Sequence, residues 1–163
     1  MNRSIRLLAA LGMIALPSVA GAQSITGSIT ASADIATVFS FGAPSALNFG
    51  NVTPGAGATA SGYIPLSRNV GVIYSLPDGA TTGQLTGPAG ALQPSYLCGV
   101  GTTSAAITSP FANCNNTGAQ LTLGTPTGSL TEYVIFNGTL TAAQTNIAPG
   151  TYSGTIRVTA TPN

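Results

Sequence analysis

The chain contains few side chains that could do chemistry. Its 163 residues include four Arg, no Lys, no His and only three acids, Asp34, Asp78 and Glu132. The three carboxyl groups lie far apart in the sequence, and without histidine a serine triad cannot be assembled. General acid/base and nucleophilic catalysis draw mainly on His, Lys, Cys or paired carboxylates. The sequence therefore predicts that the protein is not an enzyme.

The same shortage limits the ligands that the chain could bind. Metal sites need His, Cys or clustered carboxylates, so we expect neither a metal nor a cofactor. Nucleic-acid binding needs a basic surface, and beyond residue 22 only Arg68 and Arg157 are basic, so we expect no nucleic-acid partner. Residues 99–101, Gly-Val-Gly, resemble part of a phosphate loop but lack its third glycine and its strand-then-helix context. We interpret them as a turn.

Residues 1–22 have the three parts of a secretory signal peptide. Arg3 and Arg6 form a positive start, residues 7–15 are apolar, and Ala-Gly-Ala at 20–22 is a small-residue cleavage site. Pro17 interrupts the apolar stretch, which is shorter than the roughly 20 residues that a membrane-spanning helix needs. We predict cleavage before Gln23, export to the periplasm and no stable membrane insertion. Removal of 22 of the 163 residues leaves 141, enough for one domain.

The two cysteines are Cys98 and Cys114. Export would place them in an oxidising compartment, where disulfides persist. We predict one structural bridge, worth about 3 kcal/mol in the chain-entropy model. A redox pair is the alternative, but the intervening segment is far longer than that of the Cys-X-X-Cys sites that lower a thiol pKa.

The exported chain would begin and end with strictly alternating segments. In residues 25–35 the odd positions are apolar or small and the even positions are Thr, Ser or Asp, and residues 151–161 alternate in the same way. A period of two predicts strands with one apolar face and one polar face. We expect the first strand to continue to Phe41 and the last to end near Thr161.

The middle of the chain is predicted to contain several shorter strands separated by turns. We expect strands at residues 47–52, 63–66, 70–76, 119–123 and 130–136, with weak strands near Gln84, Tyr96 and Ala105. Residues 54–62 are rich in Gly and Ala and are predicted to form a loop, and Pro-Asp-Gly at 77–79 a turn. Asn137-Gly138 predicts a type I′ hairpin turn into residues 139–141. Short strands without a periodic helix outside the signal predict an all-β antiparallel sandwich.

Two stretches of sequence resemble a known family. LNFGNVTPG at residues 47–55 and APGTYSGTIRVT at residues 148–159 are similar to segments of the secreted pilin-like proteins around spore coat protein U. These proteins are subunits of archaic chaperone–usher fimbriae. The resemblance spans most of the exported chain, with a divergent middle. It implies an immunoglobulin-like sandwich at residues 34–163 that lacks its last strand, preceded by a donor strand at residues 23–33.

The resemblance also implies how the protein would assemble. A periplasmic chaperone would first fill the open groove, and the N-terminal strand of a neighbouring subunit would replace it at an outer-membrane usher. The product would be a surface fimbria that serves adhesion or biofilm formation. The implied donor residues are Ile25, Gly27, Ile29 and Ala31, and the implied acceptor edge is Tyr152, Gly154, Ile156, Val158 and Ala160. Family subunits commonly end in an aromatic residue that the chaperone grips, whereas this chain ends in Ala-Thr-Pro-Asn.

The low charge of the terminal segments agrees with this reading. Natural proteins commonly protect an exposed strand edge with Lys or other charges. Here Asp34 and Arg157 are the only charged residues of the two alternating segments, and both lie on the polar face. The sequence thus favours pairing with another chain.

Two other interpretations remain open at the level of sequence. Residues 23–33 could be an ordinary first strand of a self-contained sheet. The protein would then be a complete immunoglobulin-like module that binds a surface protein or matrix component and is stable as a monomer. A sugar-binding tip adhesin is disfavoured because the chain has no Trp and only five Tyr and five Phe to stack on a ligand.

Overall fold

The computed structural model describes residues 30–76, 83–115 and 118–163. The predicted signal peptide, its cleavage before Gln23, the donor residues Ile25, Gly27 and Ile29, and the turn at 77–79 that holds Asp78 lie outside these ranges. Ala31 is described, and it is exposed and belongs to no strand. The fold below is that of the compact unit Ile35–Asn163.

Within the described ranges the regular secondary structure is almost all β-strand, and every strand pair is antiparallel. The all-β antiparallel prediction is therefore confirmed. The strands are β1 (Phe39–Phe41), β2 (Ala58–Arg68), β3 (Val72–Leu76), β4 (Leu85–Gly87), β5 (Gly90–Leu92), β6 (Ser95–Gly101), β7 (Ser109–Pro110), β8 (Ala119–Leu123), β9 (Leu130–Leu140) and β10 (Thr159–Pro162), and a single helical turn, α1, is Ala142–Thr145.

The strands form two main sheets and a small hairpin. One sheet has the order β1-β2-β9-β6-β7, the second has the order β10-β3-β8, and β4 pairs with β5. The longest ladder joins β2 to β9, from Ala58 opposite Leu140 to Arg68 opposite Leu130. On its other edge β9 pairs with β6, so β9 is hydrogen-bonded on both sides.

The apolar faces of both sheets contribute to one core. Alternate residues of β3 are buried, as are alternate residues of β6 from Tyr96 to Val100. The core cluster consists of Leu66, Val72, Tyr74, Leu76, Tyr96, Cys98, Val100, Phe111, Cys114, Val134 and Phe136. The two sheets are thus held together mainly by burial of apolar side chains.

The predicted disulfide is present and buried in this core. Cys98 and Cys114 are bonded, with their Cα atoms 5.7 Å apart, and both side chains are almost fully inaccessible. Cys98 lies in β6 of the five-stranded sheet, and Cys114 lies just before β8 of the three-stranded sheet. The bridge therefore restrains the crossing from one sheet to the other.

Several predicted strands agree with the structure. Residues 119–123 form β8 with the predicted bounds, and β2 and β3 include the strands expected at 63–66 and near 70–76. The weak strand expected near Tyr96 is β6, and β4 follows Gln84 directly. Near Ala105 the structure has only an isolated bridge between Thr103 and Ala106.

The hairpin turn predicted at Asn137-Gly138 is wrong. Both residues lie inside β9, where they pair with β2 and with β6. A type I′ turn requires positive φ at both positions, and neither residue has it. Pairing on both edges overrides the local turn preference, because a turn here would leave the backbone groups of two neighbouring strands without partners.

Two glycine-rich stretches were also misassigned by the sequence patterns. The loop predicted at 54–62 ends early, because β2 begins at Ala58, opposite Leu140. The turn predicted at residues 99–101 is part of β6, where Gly99 lies opposite Ile135. A side chain at Gly99 would collide with Ile107, since a Cβ atom there would lie 2.4 Å from Cγ2 of Ile107. Glycine is used here for close packing within a strand rather than for a turn.

The terminal strands are shorter than the alternation predicts. Of residues 30–41 only Phe39–Phe41 form a strand, because the side chain of Asn69 binds the backbone that precedes them. Its Oδ1 accepts from the N–H of Val38 and its Nδ2 donates to the carbonyl of Ala36, both at 2.8 Å. At the other end β10 covers only Thr159–Pro162, which pair with Val72 to Ser75 of β3.

Residues 47–52 are not a strand, contrary to the prediction. They have no regular secondary structure, and they follow an isolated bridge between Ser45 and Tyr63. Gly50 has a φ of 68°, which interrupts regular pairing. The segment instead forms one side of the groove described next.

Candidate functional site: an apolar groove between two wall segments

A long groove lies between two segments that flank the core. It consists of two adjoining cavities of about 380 and 480 Å³ that share Leu85 as a lining residue. The first cavity is lined by residues 44–47 and 154–156, and the second by residues 48–52 and 147–152. The two segments therefore run in opposite directions along the groove.

The floor of the groove is formed by buried apolar residues. Tyr96 and Phe136 lie beneath the first cavity, and Leu92 and Leu140 lie beneath the second. The rings of Tyr96 and Phe136 pack edge to face, with centroids 6.4 Å apart. The first cavity is almost wholly apolar, whereas Asn48, Asn51, Thr145 and Thr151 add polar groups to the second.

Both sides of the groove lack regular strand pairing within the described residues. We call residues 44–54 the first wall and residues 147–156 the second wall. The first wall has one isolated bridge, at Ser45, and the second wall has one, at Ser153. An added strand between the walls would bring backbone donors and acceptors to segments that have few partners of this kind.

The second wall is supported by the β4–β5 hairpin. Ser153 and Thr86 exchange two backbone hydrogen bonds of 2.9 and 3.1 Å. The hydroxyl of Tyr152 donates to the carbonyl of Ala148 at 2.9 Å and accepts from the N–H of Ala89 at 3.3 Å. The ring of Tyr152 also covers Gly87, where a Cβ atom would lie 2.4 Å from it.

The first wall rests on the sheet mainly through two apolar side chains. Leu47 lies over Gly62, where an added Cβ atom would be 2.8 Å from the backbone nitrogen of Leu47. Phe49 lies over Gly138, where an added Cβ atom would be 2.8 Å from Cζ of Phe49. Both side chains are half-buried, so the wall also covers part of the floor.

The acceptor-edge residues named from the sequence occupy different parts of this region. Tyr152, Gly154 and Ile156 line the groove, whereas Val158 and Ala160 lie beyond it. Ile156, Val158 and Ala160 pack against the core cluster. The intervening residues at 153, 155, 157, 159 and 161 are exposed. Apart from Gly154, which is exposed as well, the alternation of burial follows the sequence even where no strand forms.

The groove residues that the sequence analysis missed come from the middle of the chain. Leu85, Tyr96 and Phe136 belong to three different strands and meet only through the sheet topology. The sequence predicts a strand that contains Leu47 and Phe49, whereas the structure places both residues in the first wall. The two apolar residues alternate with polar or small ones within LNFGN, and this pattern is compatible with a strand or with a wall that packs on one face.

The charged residues with catalytic potential are used in the core. Arg68 and Glu132 form a bidentate ion pair, with N–O distances of 2.7 and 2.8 Å, and both are buried. Arg68 also donates to the carbonyls of Val70 and Gly124 at 2.6 and 2.7 Å. The hydroxyl of Tyr74 donates to Glu132 at 3.2 Å. Neither charged residue lines the groove.

Burial shifts the acid–base behaviour of the tyrosines. Desolvation, followed by the nearby negative charge of Glu132, raises the pKa of Tyr74 well above its usual range. The hydrogen bond from Arg68 to Glu132 raises the pKa of Arg68. Desolvation raises the pKa of Tyr96 to about 12, and its hydroxyl donates to the carbonyl of Gly83 at 2.7 Å. These groups keep their ordinary charge states at neutral pH.

Comparisons of the chain with protein-family models, curated proteins and solved structures find no match. Function is therefore inferred from the residues and geometry of the chain itself. Within residues 30–76, 83–115 and 118–163, no three His, Cys, Asp or Glu side chains cluster closely enough to hold a metal ion. Among the same residues, no helix has the length and apolar character required to cross a membrane.

Proposed function

We propose that this protein is a structural subunit of a surface fimbria and that subunits join when the N-terminal strand of one inserts into the groove of the next. The observation that carries the proposal is the groove itself, an apolar floor between two walls that have little strand pairing of their own. A strand in this position would bury its apolar face on the floor and hydrogen-bond to the walls.

The position of the groove supports an incomplete immunoglobulin-like sandwich. β1 is an edge strand of the five-stranded sheet, and β10 is an edge strand of the three-stranded sheet. The first wall follows β1 in the chain, and the second wall precedes β10. In the proposed sandwich, one further strand in the groove would complete the fold.

The sequence of residues 23–33 fits the groove as a donor. Eleven extended residues span about 36 Å, and the first wall has the same number of residues. Ile25, Gly27, Ile29 and Ala31 would face the floor, and each fully buried Ile contributes about 1.5–3 kcal/mol. The second wall would act as the acceptor edge through Tyr152, Gly154 and Ile156, with Val158 and Ala160 continuing toward β10.

Export and assembly follow from this role. Residues 1–22 would direct the chain to the periplasm, where a chaperone would fill the groove until a neighbouring subunit replaces it at an outer-membrane usher. The likeness of residues 47–55 and 148–159 to fimbrial subunits supports these partners. The fibre would serve adhesion or biofilm formation.

A second candidate is a self-complete secreted module that binds a surface or matrix component. It is favoured by one observation, the half-buried Leu47 and Phe49, which cover part of the floor without any added strand. This candidate predicts a stable monomer that neither polymerises nor binds an added strand.

The two candidates are separated by testing the N-terminal segment as a donor. A fluorescent peptide of residues 23–33 is added to a chain from Gln23 that carries Ile25→Asp and Ile29→Asp, so that it cannot donate its own strand. We expect tight, slowly reversible binding, measured by anisotropy and native mass spectrometry.

The matched control is the same peptide with changes on its polar face. A peptide with Ser28→Asp and Thr30→Asp should still bind, whereas one with Ile25→Asp and Ile29→Asp should not. Equal binding of the two variant peptides, or failure of the unmodified peptide to bind, would overturn the donor assignment.

A further inference from the structure

We infer that part of the first wall is a lid that covers the groove of the unassembled subunit and must swing outward when a strand enters. The lid segment is residues 46–55, which are residues 46–54 of the first wall together with Gly55. This inference rests on the proposed function, because it concerns the same groove, but it adds a conformational step that the proposed function does not require.

The lid segment lies between two anchors. On one side Ser45 pairs with Tyr63 through hydrogen bonds of 2.8 and 3.3 Å. On the other side the carbonyl of Ala56 accepts a hydrogen bond of 2.6 Å from Oγ1 of Thr145. Between these anchors, the backbone hydrogen bonds found in the described chain are local, from the N–H of Gly50 to Oδ1 of Asn48 and from the N–H of Ala56 to the carbonyl of Thr53.

Two glycines give the lid segment points at which its backbone can bend. Gly50 and Gly55 have φ values of 68° and 77°, a region that side-chain-bearing residues rarely adopt. Nothing lies within 4 Å of the position of a Cβ atom at either glycine. Glycine is therefore required at both positions by the positive φ and not by close packing. Both positions lie where the backbone of a moving segment would have to rotate.

The lid is held down by side chains that occupy the floor. Leu47 and Phe49 approach the sheet closely only because Gly62 and Gly138 have no side chains. Phe49 and Tyr96 both lie against Gly138, at 2.8 and 3.0 Å from the position that a Cβ atom would take. The apolar side chains of an inserted strand would need this part of the floor, so the lid competes with the strand for it.

The opposite wall lacks this freedom. Residues 147–156 are fixed by the paired hydrogen bonds of Ser153, by the two hydrogen bonds of the Tyr152 hydroxyl and by contact with Gly87. Opening the groove therefore requires movement of the first wall. A groove that is open only part of the time binds its strand more slowly, in proportion to the open fraction.

The test uses the donor-defective chain described above, with Ile25→Asp and Ile29→Asp, and the fluorescent peptide of residues 23–33. Phe49→Ala should raise the association rate of the peptide at least threefold, because the lid loses its main contact with the floor. Thr53→Ala is the matched control, since Thr53 is exposed within the same segment, and it should leave the rate unchanged.

A second variant reports the movement directly. The natural chain has no Trp, so Phe49→Trp introduces a single tryptophan whose emission reports the lid. We expect its emission to shift to longer wavelength when saturating peptide binds. Peptide binding without a shift in Phe49→Trp and without acceleration in Phe49→Ala would overturn the lid while leaving the proposed function intact. A peptide that does not bind at all would overturn both.

Discussion

Arg68 and Glu132 bring opposite charges into the interior of a chain that has few charges in total. Burial removes both groups from water, and the loss of hydration is offset only when the charges are paired and hydrogen-bonded. Here both guanidinium–carboxylate contacts are formed, and two backbone carbonyls and the Tyr74 hydroxyl satisfy the remaining groups. Because Arg68 and Glu132 lie on adjacent strands and Tyr74 lies in the other sheet, the cluster links the two sheets.

Removing one partner of this pair should destabilise the protein strongly. Glu132→Gln would leave Arg68 buried without a counter-charge, and we expect the free energy of unfolding to fall by about 3–5 kcal/mol, measured by urea denaturation. The triple replacement Arg68→Met, Glu132→Leu and Tyr74→Phe should recover most of the loss, because it removes the buried polar groups together. A small effect of Glu132→Gln alone would mean that the pair is not buried in solution.

Alkaline pH should weaken the fold through the buried tyrosines. Their pKa values are raised above the ordinary value of 10.0, so the folded state holds the phenolic protons more tightly than the unfolded state. The resulting stability is fully present below pH 10 and is lost as the pH rises toward 12, by about 1.4 kcal/mol per pH unit for each tyrosine that ionises on unfolding. Tyr96→Phe should remove the contribution of one proton from the slope of the free energy of unfolding against pH, about 1.4 kcal/mol per pH unit. Denaturation at a series of pH values measures this slope. An unchanged slope in this variant would show that Tyr96 does not contribute to the decline.

At the scale of elements, β9 organises the molecule. It pairs along its whole length with β2 and along much of it with β6, and its inward face carries Glu132, Phe136 and Gly138. It thus connects the buried ion pair, the floor of the groove and the site where the first wall rests. Within this strand Gly138 leaves room for Phe49 and Tyr96 because it has no side chain, and Asn137-Gly138 does not form a turn.

Because Phe49 and Tyr96 pack against Gly138, a methyl group added at Gly138 should destabilise the protein more than one added at Gly124. Gly138→Ala would place a Cβ atom 2.8 Å from Phe49 and 3.0 Å from Tyr96, so we expect a loss of about 1–3 kcal/mol from overpacking. Gly124→Ala is the matched control, since nothing lies within 4 Å of its Cβ position. Thermal unfolding of both variants measures the difference. Equal melting temperatures would show that the first wall does not rest on Gly138.

At the scale of the whole molecule, the proposed subunit has two complementary parts, an acceptor groove and a donor segment. Because each subunit would donate once and accept once, the same contact repeats without closing and produces a fibre. The scarcity of charge fits this arrangement, since charges on the two edges would oppose pairing between identical chains.

This arrangement makes a prediction about mixtures of variants. A chain with Ile25→Asp and Ile29→Asp can accept but cannot donate, and a chain with Ile156→Asp can donate but cannot accept. Each should remain monomeric alone, and an equimolar mixture should stop at dimers, measured by light scattering and native mass spectrometry. Thr159→Asp, on the exposed side next to the groove, is the control and should still polymerise. Long polymers in the mixture would contradict the single donor and single acceptor.

The sequence alone determined the features that depend on local pattern or simple chemistry. The all-β class follows from period-two segments and turn residues, β8 follows from a short alternating run with clear ends, and the Cys98–Cys114 bridge follows from there being only two cysteines. The tertiary structure decided whatever depends on residues distant in the chain. Asn137-Gly138 became part of a strand because two neighbours pair with it, and residues 47–52 became a wall because Gly62 and Gly138 receive their side chains. Arg68 and Glu132 became a buried pair because β2 and β9 lie side by side, a juxtaposition that no local pattern encodes.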